Sequence, residues 1–171
     1  MNVLESLTWS HQILNELNVP HALIGGMALS EYGYGRGTDD VDWIIPEEFV
    51  EAVVKAFTAH AFTIFHRSED VLQFAGKAQI DFLIARRPIS RGMVDDAHYS
   101  NRLNLPVLKI EDLIGLKIQA YHNDPKRRFR DLADISELAE RNPKMDWIKI
   151  KFYADQFNEW ATLEAIKNEI P

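Results

Sequence analysis

Ile24-Gly25-Gly26-Met27-Ala28, then Arg36-Gly37-Thr38-Asp39-Asp40-Val41-Asp42-Trp43-Ile44-Ile45, is the stretch on which the fold of this chain turns. His21 to Ile24 is a short apolar run halted by a diglycine, which predicts a buried strand entering a tight turn. Met27 to Tyr34 fits a brief helix. Gly33 to Thr38 holds three glycines among six residues and reads as a loop. Asp40 to Ile45 alternates and stops at Pro46, the mark of a strand. A side-chain period of two sets Asp40 and Asp42 on one face and Val41, Trp43 and Ile45 on the other. Two carboxylates roughly 6–7 Å apart along one strand repel each other and make poor core. Oxygen ligands at that spacing suit hard cations, especially a magnesium pair about 3.5–4 Å apart. A solvated strand face or a turn cap would use the same residues. Asp39 reads as turn chemistry before the strand, because aspartate bonds its own local backbone well.

Working outward, residues 2–17 carry Leu4, Leu7, Leu14 and Leu17 at helical spacing. Residues 47–60 place Phe49, Val50, Val53, Val54 and Phe57 on one helical stripe. Three strands follow at Phe62 to His66, Val71 to Ala75 and Gln79 to Ala85. In the last of these Ile80, Phe82 and Ile84 share a face, which leaves Asp81 on the other. An aspartate in so apolar a run is costly unless it is paired, hydrogen-bonded, on a metal, or facing solvent from an edge strand. Residues 90–102 fit either helix or loop, and Pro106 to Ile110 a last short strand. Helices are predicted near 111–121, 127–141 and 146–168, separated by Pro125 and Pro143. The order is that of an α+β fold, a mixed β-sheet flanked by helices with a C-terminal helical segment, rather than a doubly wound array. The expected division is a core over 1–105 and a helical segment over 106–171 packed on it.

Composition narrows the function classes. Twenty-six acidic against nineteen basic residues give a formal charge of −7, which argues against indiscriminate binding to nucleic acid backbones. Eighteen aromatics spread along 171 residues argue against disorder. The chain has no cysteine, so disulfides, thiolate metal sites and cysteine nucleophiles are out. No apolar run approaches the ~20 residues of a membrane span, and the N-terminus lacks a basic signal region. The expectation is a cytoplasmic protein with no membrane association. Six histidines show no His-Glu-x-x-His spacing, and neither a Gly-x-Ser-x-Gly elbow nor a P-loop is present.

The diglycine, the Asp40-Val41-Asp42 strand and Asp81 on a later strand together resemble the nucleotidyltransferase superfamily related to DNA polymerase beta. The nearest likeness is to minimal bacterial nucleotidyltransferases and to the toxin-type enzymes of abortive-infection systems. Those also carry a Leu-x-x-x-Lys helix, matched by Leu113 to Lys117. Their Arg-x-Lys/Arg-Asp-Leu-x-Asp segment is matched by Arg128-Phe129-Arg130-Asp131-Leu132-Ala133-Asp134. The likeness spans roughly residues 20–138. It implies an enzyme that transfers an NMP from an NTP to a hydroxyl acceptor with release of pyrophosphate, within a toxin–antitoxin or abortive-infection system. Asp40, Asp42 and Asp81 would be catalytic and hold two Mg2+ ions, with Mn2+ as a substitute. Gly25, Gly26, Arg36, Thr38, Lys117, Arg128 and Asp131 would bind the nucleotide. Where some members carry Gly-Ser at the turn, Gly26 offers only its backbone amide. The acceptor, a small molecule, a tRNA or a protein, is left open, and a small helical protein is an expected partner. The alternative is a non-catalytic nucleotide-binding or antitoxin-like protein of the same fold.

Bland readings stand beside these. Lys117 fits a solvated helix position, and Asp131 and Asp134 fit exposed ion pairs of little worth. Arg86, Arg87 and Arg91 form a basic patch that either is solvated or holds phosphates or an RNA acceptor. Trp147, Tyr153, Phe157 and Trp160 suggest an aromatic stripe along one last helix, used for packing or for a partner.

Overall fold

The computed structural model describes residues 1–170, and among them the chain divides into two compact units. The first comprises Met1–Glu31 and Gly35–Leu108, the second Tyr32–Tyr34 and the residues from Lys109 on.

The first unit is built on one mixed sheet. Helix α1 (Val3–Glu16) opens it, capped by Asn2, whose side chain accepts from the Glu5 amide while Glu5 accepts from the Asn2 amide, each at 2.9 Å. Strand β1 (Ala22–Ile24), the short helix α2 (Gly25–Leu29) and strand β2 (Asp40–Pro46) follow. Then come helix α3 (Val50–Ala59), strands β3 (Thr63–Arg67), β4 (Val71–Ala75) and β5 (Gln79–Ala85), helix α4 (Pro88–Asp95), and strands β6 (His98–Ser100) and β7 (Leu105–Val107). The spatial order is β3-β4-β5-β2-β1-β7-β6. Strands β2 and β5 run parallel in the centre, and β2 with β1 and β5 with β4 are antiparallel. The sequence reading anticipated this mixed sheet with flanking helices. It missed β6, whose three residues carry no alternation and are held by pairing with β7.

Alternation dictates which face is core. Val41, Trp43, Ile80, Phe82, Leu72 and Phe74 are all buried. They lie beneath an aromatic cluster in which Phe57 meets Phe74 at 4.9 Å and Phe82 at 5.3 Å between ring centroids, and Trp9 meets Phe62 at 4.9 Å. Buried rings in tilted and edge contacts of this kind dominate core energetics. The opposite face carries the half-buried Asp40, Asp42, Asp81 and Gln73.

At the foot of β1 a chain of hydrogen bonds fixes two histidines beside the Trp43 ring. His21 Nδ1 lies 2.7 Å from the Val19 carbonyl, His21 Nε2 lies 2.8 Å from His11 Nδ1, and Asn15 Nδ2 lies 3.0 Å from His11 Nε2. The carbonyl can only accept, so His21 Nδ1 must donate. Its Nε2 then accepts from His11 Nδ1, whose own Nε2 accepts from Asn15. Protonating His21 would set two N–H groups against each other. Burial pushes the His21 pKa down to about 4, against the smaller upward pull of the Val19 carbonyl, and lowers His11 as well. A depressed folded pKa means the unfolded chain binds more protons, so stability falls as pH drops from about 6.5 towards 4. The expected loss is about 3 kcal/mol. Urea midpoints across that window should fall in the wild type and fall less in His21→Gln. Equal slopes would show that this pair is not the cause.

The second unit packs α5 (Ile110–Asn123), α6 (Arg128–Arg141), α7 (Trp147–Asp155) and α8 (Trp160–Glu169). Asn142 Nδ2 donates to the Tyr32 carbonyl at 3.0 Å, and the Arg141 guanidinium lies over the Tyr34 ring, which ties Tyr32–Tyr34 to this unit. The single helix expected over 146–168 is two helices. Asn158 adopts φ +57°, and the Glu159 amide donates back to the Ala154 carbonyl at 2.9 Å. Asparagine tolerates the left-handed conformation that ends a helix in this way. The aromatic stripe is divided accordingly. Trp147 on α7 lies beneath Lys167, and Trp160 on α8 beneath Lys151.

Candidate active site

The site grows from the register of four strands. Asp42 on β2 stands opposite Asp81 on β5, Gln73 on β4 opposite Asp81, and Ile24 at the end of β1 opposite Asp42. Asp40 stands opposite Gln79 one step along. Since residues two apart share a face, Asp40, Asp42, Asp81, Gln73 and Gln79 form one polar patch on the sheet. One carboxylate oxygen from each of Asp40, Asp42 and Asp81 lies within 4.8 Å of the others.

The diglycine seats this patch. Gly25 has φ +66°, and a Cβ added there would fall 1.9 Å from Asp42 Oδ2. The Asp42 carboxylate therefore occupies the space that any other residue would need. At Gly26 a Cβ would meet the Thr38 side chain at 3.0–3.1 Å, and the Thr38 hydroxyl donates to Asp40 Oδ1. The loop before β2 thus orients one carboxylate and the turn after β1 accommodates the other. Gly25→Ala is expected to cost about 1–3 kcal/mol in backbone conformation. It should also displace Asp42 enough to lower the activity proposed below about a hundredfold. Steady-state kinetics beside a thermal melt checks both, and wild-type turnover would contradict the close approach.

Burial pushes the Asp81 carboxyl above its usual value. Hydrogen bonds from Gln73 and Gln79 pull it back down, and the charge of Asp40 adds to the upward push. Asp81 Oδ2 takes both amides, whereas Oδ1 is buried with no hydrogen-bond partner among the described residues. A buried carboxylate oxygen without a donor is destabilising on its own. A cation is the natural counterpart for such an atom beside two more carboxylates. The donor set is oxygen alone, which fits a hard divalent ion. Asp39 is exposed and outside the cluster.

Of the residues expected at the site, Gly25, Gly26, Thr38, Asp40, Asp42 and Asp81 converge in the first unit, and Arg36 lies on the same loop as Thr38. Lys117, Arg128 and Asp131 belong to the helical unit. There the bland readings fail, because Lys117, Asp131 and Asp134 are all buried. Lys117 Nζ lies 2.5 Å from Asp134 Oδ2 and 3.2 Å from Asp131 Oδ1, while Arg127 Nε donates to Asp131 Oδ2 at 3.0 Å. Arg128 is not joined to Asp131. It forms a two-pronged pair with Glu159 at 2.7 and 3.0 Å and lies over the Tyr121 ring. The basic patch of Arg86, Arg87 and Arg91 is largely neutralised, since Arg86 pairs with Glu47 and Glu69 and Arg91 with Glu48. Gln73 was missed. Its polar place between the buried Leu72 and Phe74 was legible, but its pairing with Asp81 is a matter of register, which composition does not encode.

Among the described residues no helix is long and apolar enough to cross a membrane. The model of the family described as nucleotidyl transferase AbiEii toxin, type IV TA system, matches residues 13–168. No curated protein matches the chain. Among solved structures, ANT(2'')-Ia in complex with adenylyl-2''-tobramycin superposes with a TM-score of 0.67 at 14% identity, over 92% of this chain and 99% of that one. The lincosamide antibiotic adenylyltransferase LnuA, lincomycin-bound, gives 0.59 at 14% identity, over 81% and 98%. An antigenic nucleotidyltransferase-like protein from Paracoccidioides brasiliensis gives 0.58 at 14%, over 98% and 93%. At such identities the superpositions speak for the fold.

Proposed function

Since the chain belongs to the AbiEii family of nucleotidyl transferase toxins of type IV toxin–antitoxin systems, we propose that it transfers an NMP from an NTP to a hydroxyl acceptor at Asp40, Asp42 and Asp81. The observation that carries this reading is the convergence of the three carboxylates over a glycine whose missing side chain makes room for one of them. These residues would hold divalent cations, Mg2+ in the first instance with Mn2+ as a substitute. When bound, such ions neutralise triphosphate charge and ease deprotonation of a hydroxyl.

The acceptor oxygen forms a bond to the α-phosphorus. The bond from that phosphorus to the β-bridging oxygen breaks, pyrophosphate leaves with the electron pair, and the hydroxyl proton passes to solvent. The chain's own part is positioning and charge, as suits phosphoryl chemistry. Thr38 holds Asp40, Gly25 makes room for Asp42, and the absence of a side chain at Gly26 lets backbone approach the phosphates. The assignment of Arg36, Lys117, Arg128 and Asp131 to nucleotide binding rests on the family resemblance alone. Family membership also carries an expected protein partner, an antitoxin.

Incubation with labelled NTPs, magnesium and candidate acceptors should release pyrophosphate and label one acceptor. Nucleotide binding by calorimetry without pyrophosphate release across small-molecule, tRNA and protein acceptors would instead support a binding-only protein of this fold.

A further inference from the structure

The mechanism above uses Asp81 but leaves unexplained why a buried carboxylate should have one oxygen doubly satisfied and the other bare. Gln73 stands directly across from Asp81 in the β4–β5 pairing, and its Nε2 donates to Asp81 Oδ2. Gln79, two residues before Asp81 on the same strand, reaches the same oxygen from 3.4 Å. Oδ1 is left buried and without a donor. A carboxylate on a short side chain pivots about its terminal torsion, which is broad and costs little to turn. With no partner on Oδ2, either oxygen could point inward.

We propose that Gln73 is the positioning residue of the acidic cluster: its amide takes up Oδ2 and so presents Asp81 Oδ1 as a one-oxygen ligand to the divalent cation. The inference rests on the reading of Asp40, Asp42 and Asp81 as a cation site. An amide suits the task for two reasons. It donates without adding charge, so it does not cancel the negative field that attracts the cation, as a lysine or arginine would. It also carries no titrating group, so its hydrogen bond persists across the working pH range. Leu72 and Phe74, buried on the opposite face, fix the strand backbone on either side of Gln73. The donor is therefore fixed by the strand itself rather than by a loop. Partners of this kind, which hold a metal's ligand rather than the metal, commonly shift metal affinity about ten- to hundredfold when removed.

The test is Mn2+ binding to the full chain, followed by the paramagnetic signal of the free ion, with thermal midpoints recorded in parallel. Gln73→Leu keeps the volume and β-strand fit but removes the nearer donor, leaving only that of Gln79 at 3.4 Å. It is expected to weaken Mn2+ binding about ten- to hundredfold with a midpoint near that of the wild type. In turnover assays the fall should appear in kcat with little change in KM for the nucleotide, a split that a merely structural role would not produce. Gln73→Asn, whose amide is one methylene short, is the second variant and should weaken binding about three- to tenfold even if Gln73→Leu fails to fold. Binding within twofold of wild type in whichever of these variants folds overturns the proposal. If Asp40→Asn abolishes Mn2+ binding in that case, the cation site stands and only the role of Gln73 falls. If wild type and Asp40→Asn bind Mn2+ equally, the cation site itself is wrong and the role of Gln73 falls with it.

Discussion

Asp42→Asn is expected to lower pyrophosphate release about a thousandfold or more while leaving the thermal midpoint unchanged or slightly raised. Asp42 stands between Ile24 and Asp81 in the row Ile24, Asp42, Asp81, Gln73, so its carboxylate meets both the other acids and the Gly25 backbone. Asparagine keeps the shape that fits over Gly25 but removes a charge from a cluster whose oxygens lie within 4.8 Å of one another. Less mutual repulsion favours the folded state, and less charge weakens the hold on a cation. Activity and stability should therefore move apart, which distinguishes a functional carboxylate from a structural one. Asp39→Asn is the matched control, since Asp39 is exposed and outside the cluster. Pyrophosphate release and a melt on both variants decide the matter, and an active Asp42→Asn would remove the site from consideration.

The second large effect is on stability. Lys117→Met is expected to cost about 3–5 kcal/mol, because it strips the cation from two carboxylates that are 0% and 1% exposed. For a chain of this size that corresponds to a midpoint lower by roughly 6–20 °C. Asp131 keeps Arg127, whereas Asp134 Oδ2 loses the 2.5 Å contact with Lys117. Adding Asp134→Leu to Lys117→Met should therefore recover part of the loss, since it removes the buried carboxylate whose contact with Lys117 is gone. Urea unfolding of the single and double variants measures it. A Lys117→Met protein as stable as wild type would mean that these carboxylates are not stabilised by the lysine. The family resemblance would make Lys117 a phosphate ligand, and the two roles separate cleanly, because only a phosphate role raises KM for the nucleotide in a protein that is still folded.

Much of this was legible in the residues. The alternation of Val41, Trp43 and Ile45 against Asp40 and Asp42, and of Ile80, Phe82 and Ile84 against Asp81, placed the acidic residues on the correct face before any strand was paired. What local pattern could not supply was partnership across the sheet. Nothing in Val71 to Ala75 says that Gln73 will stand against Asp81, because register is set by the assembly of strands. The same gap explains Lys117. Helical spacing put Leu113, Leu116 and Ala120 on the other face of its helix, and only the packing of α5 on α6 converts a nominally solvated lysine into a buried one. The split of the last helix at Asn158 escaped for a different reason. A single left-handed asparagine interrupts a helix without disturbing the surrounding apolar period.

The parallel β2–β5 register has a consequence for how this chain can vary. Seven successive pairs, from Asp40 with Gln79 to Pro46 with Ala85, are locked residue for residue. Adding or deleting one residue inside either strand would swing the acids into the aromatic core and the core residues outward. Changes in chain length must therefore be absorbed at exposed turns, such as Gly76 and Lys77 between β4 and β5. The segments that hold the carboxylates are thereby fixed in length. A grafted tag, a reporter or a naturally acquired loop belongs at those turns, where the spacing of the acids is indifferent to it.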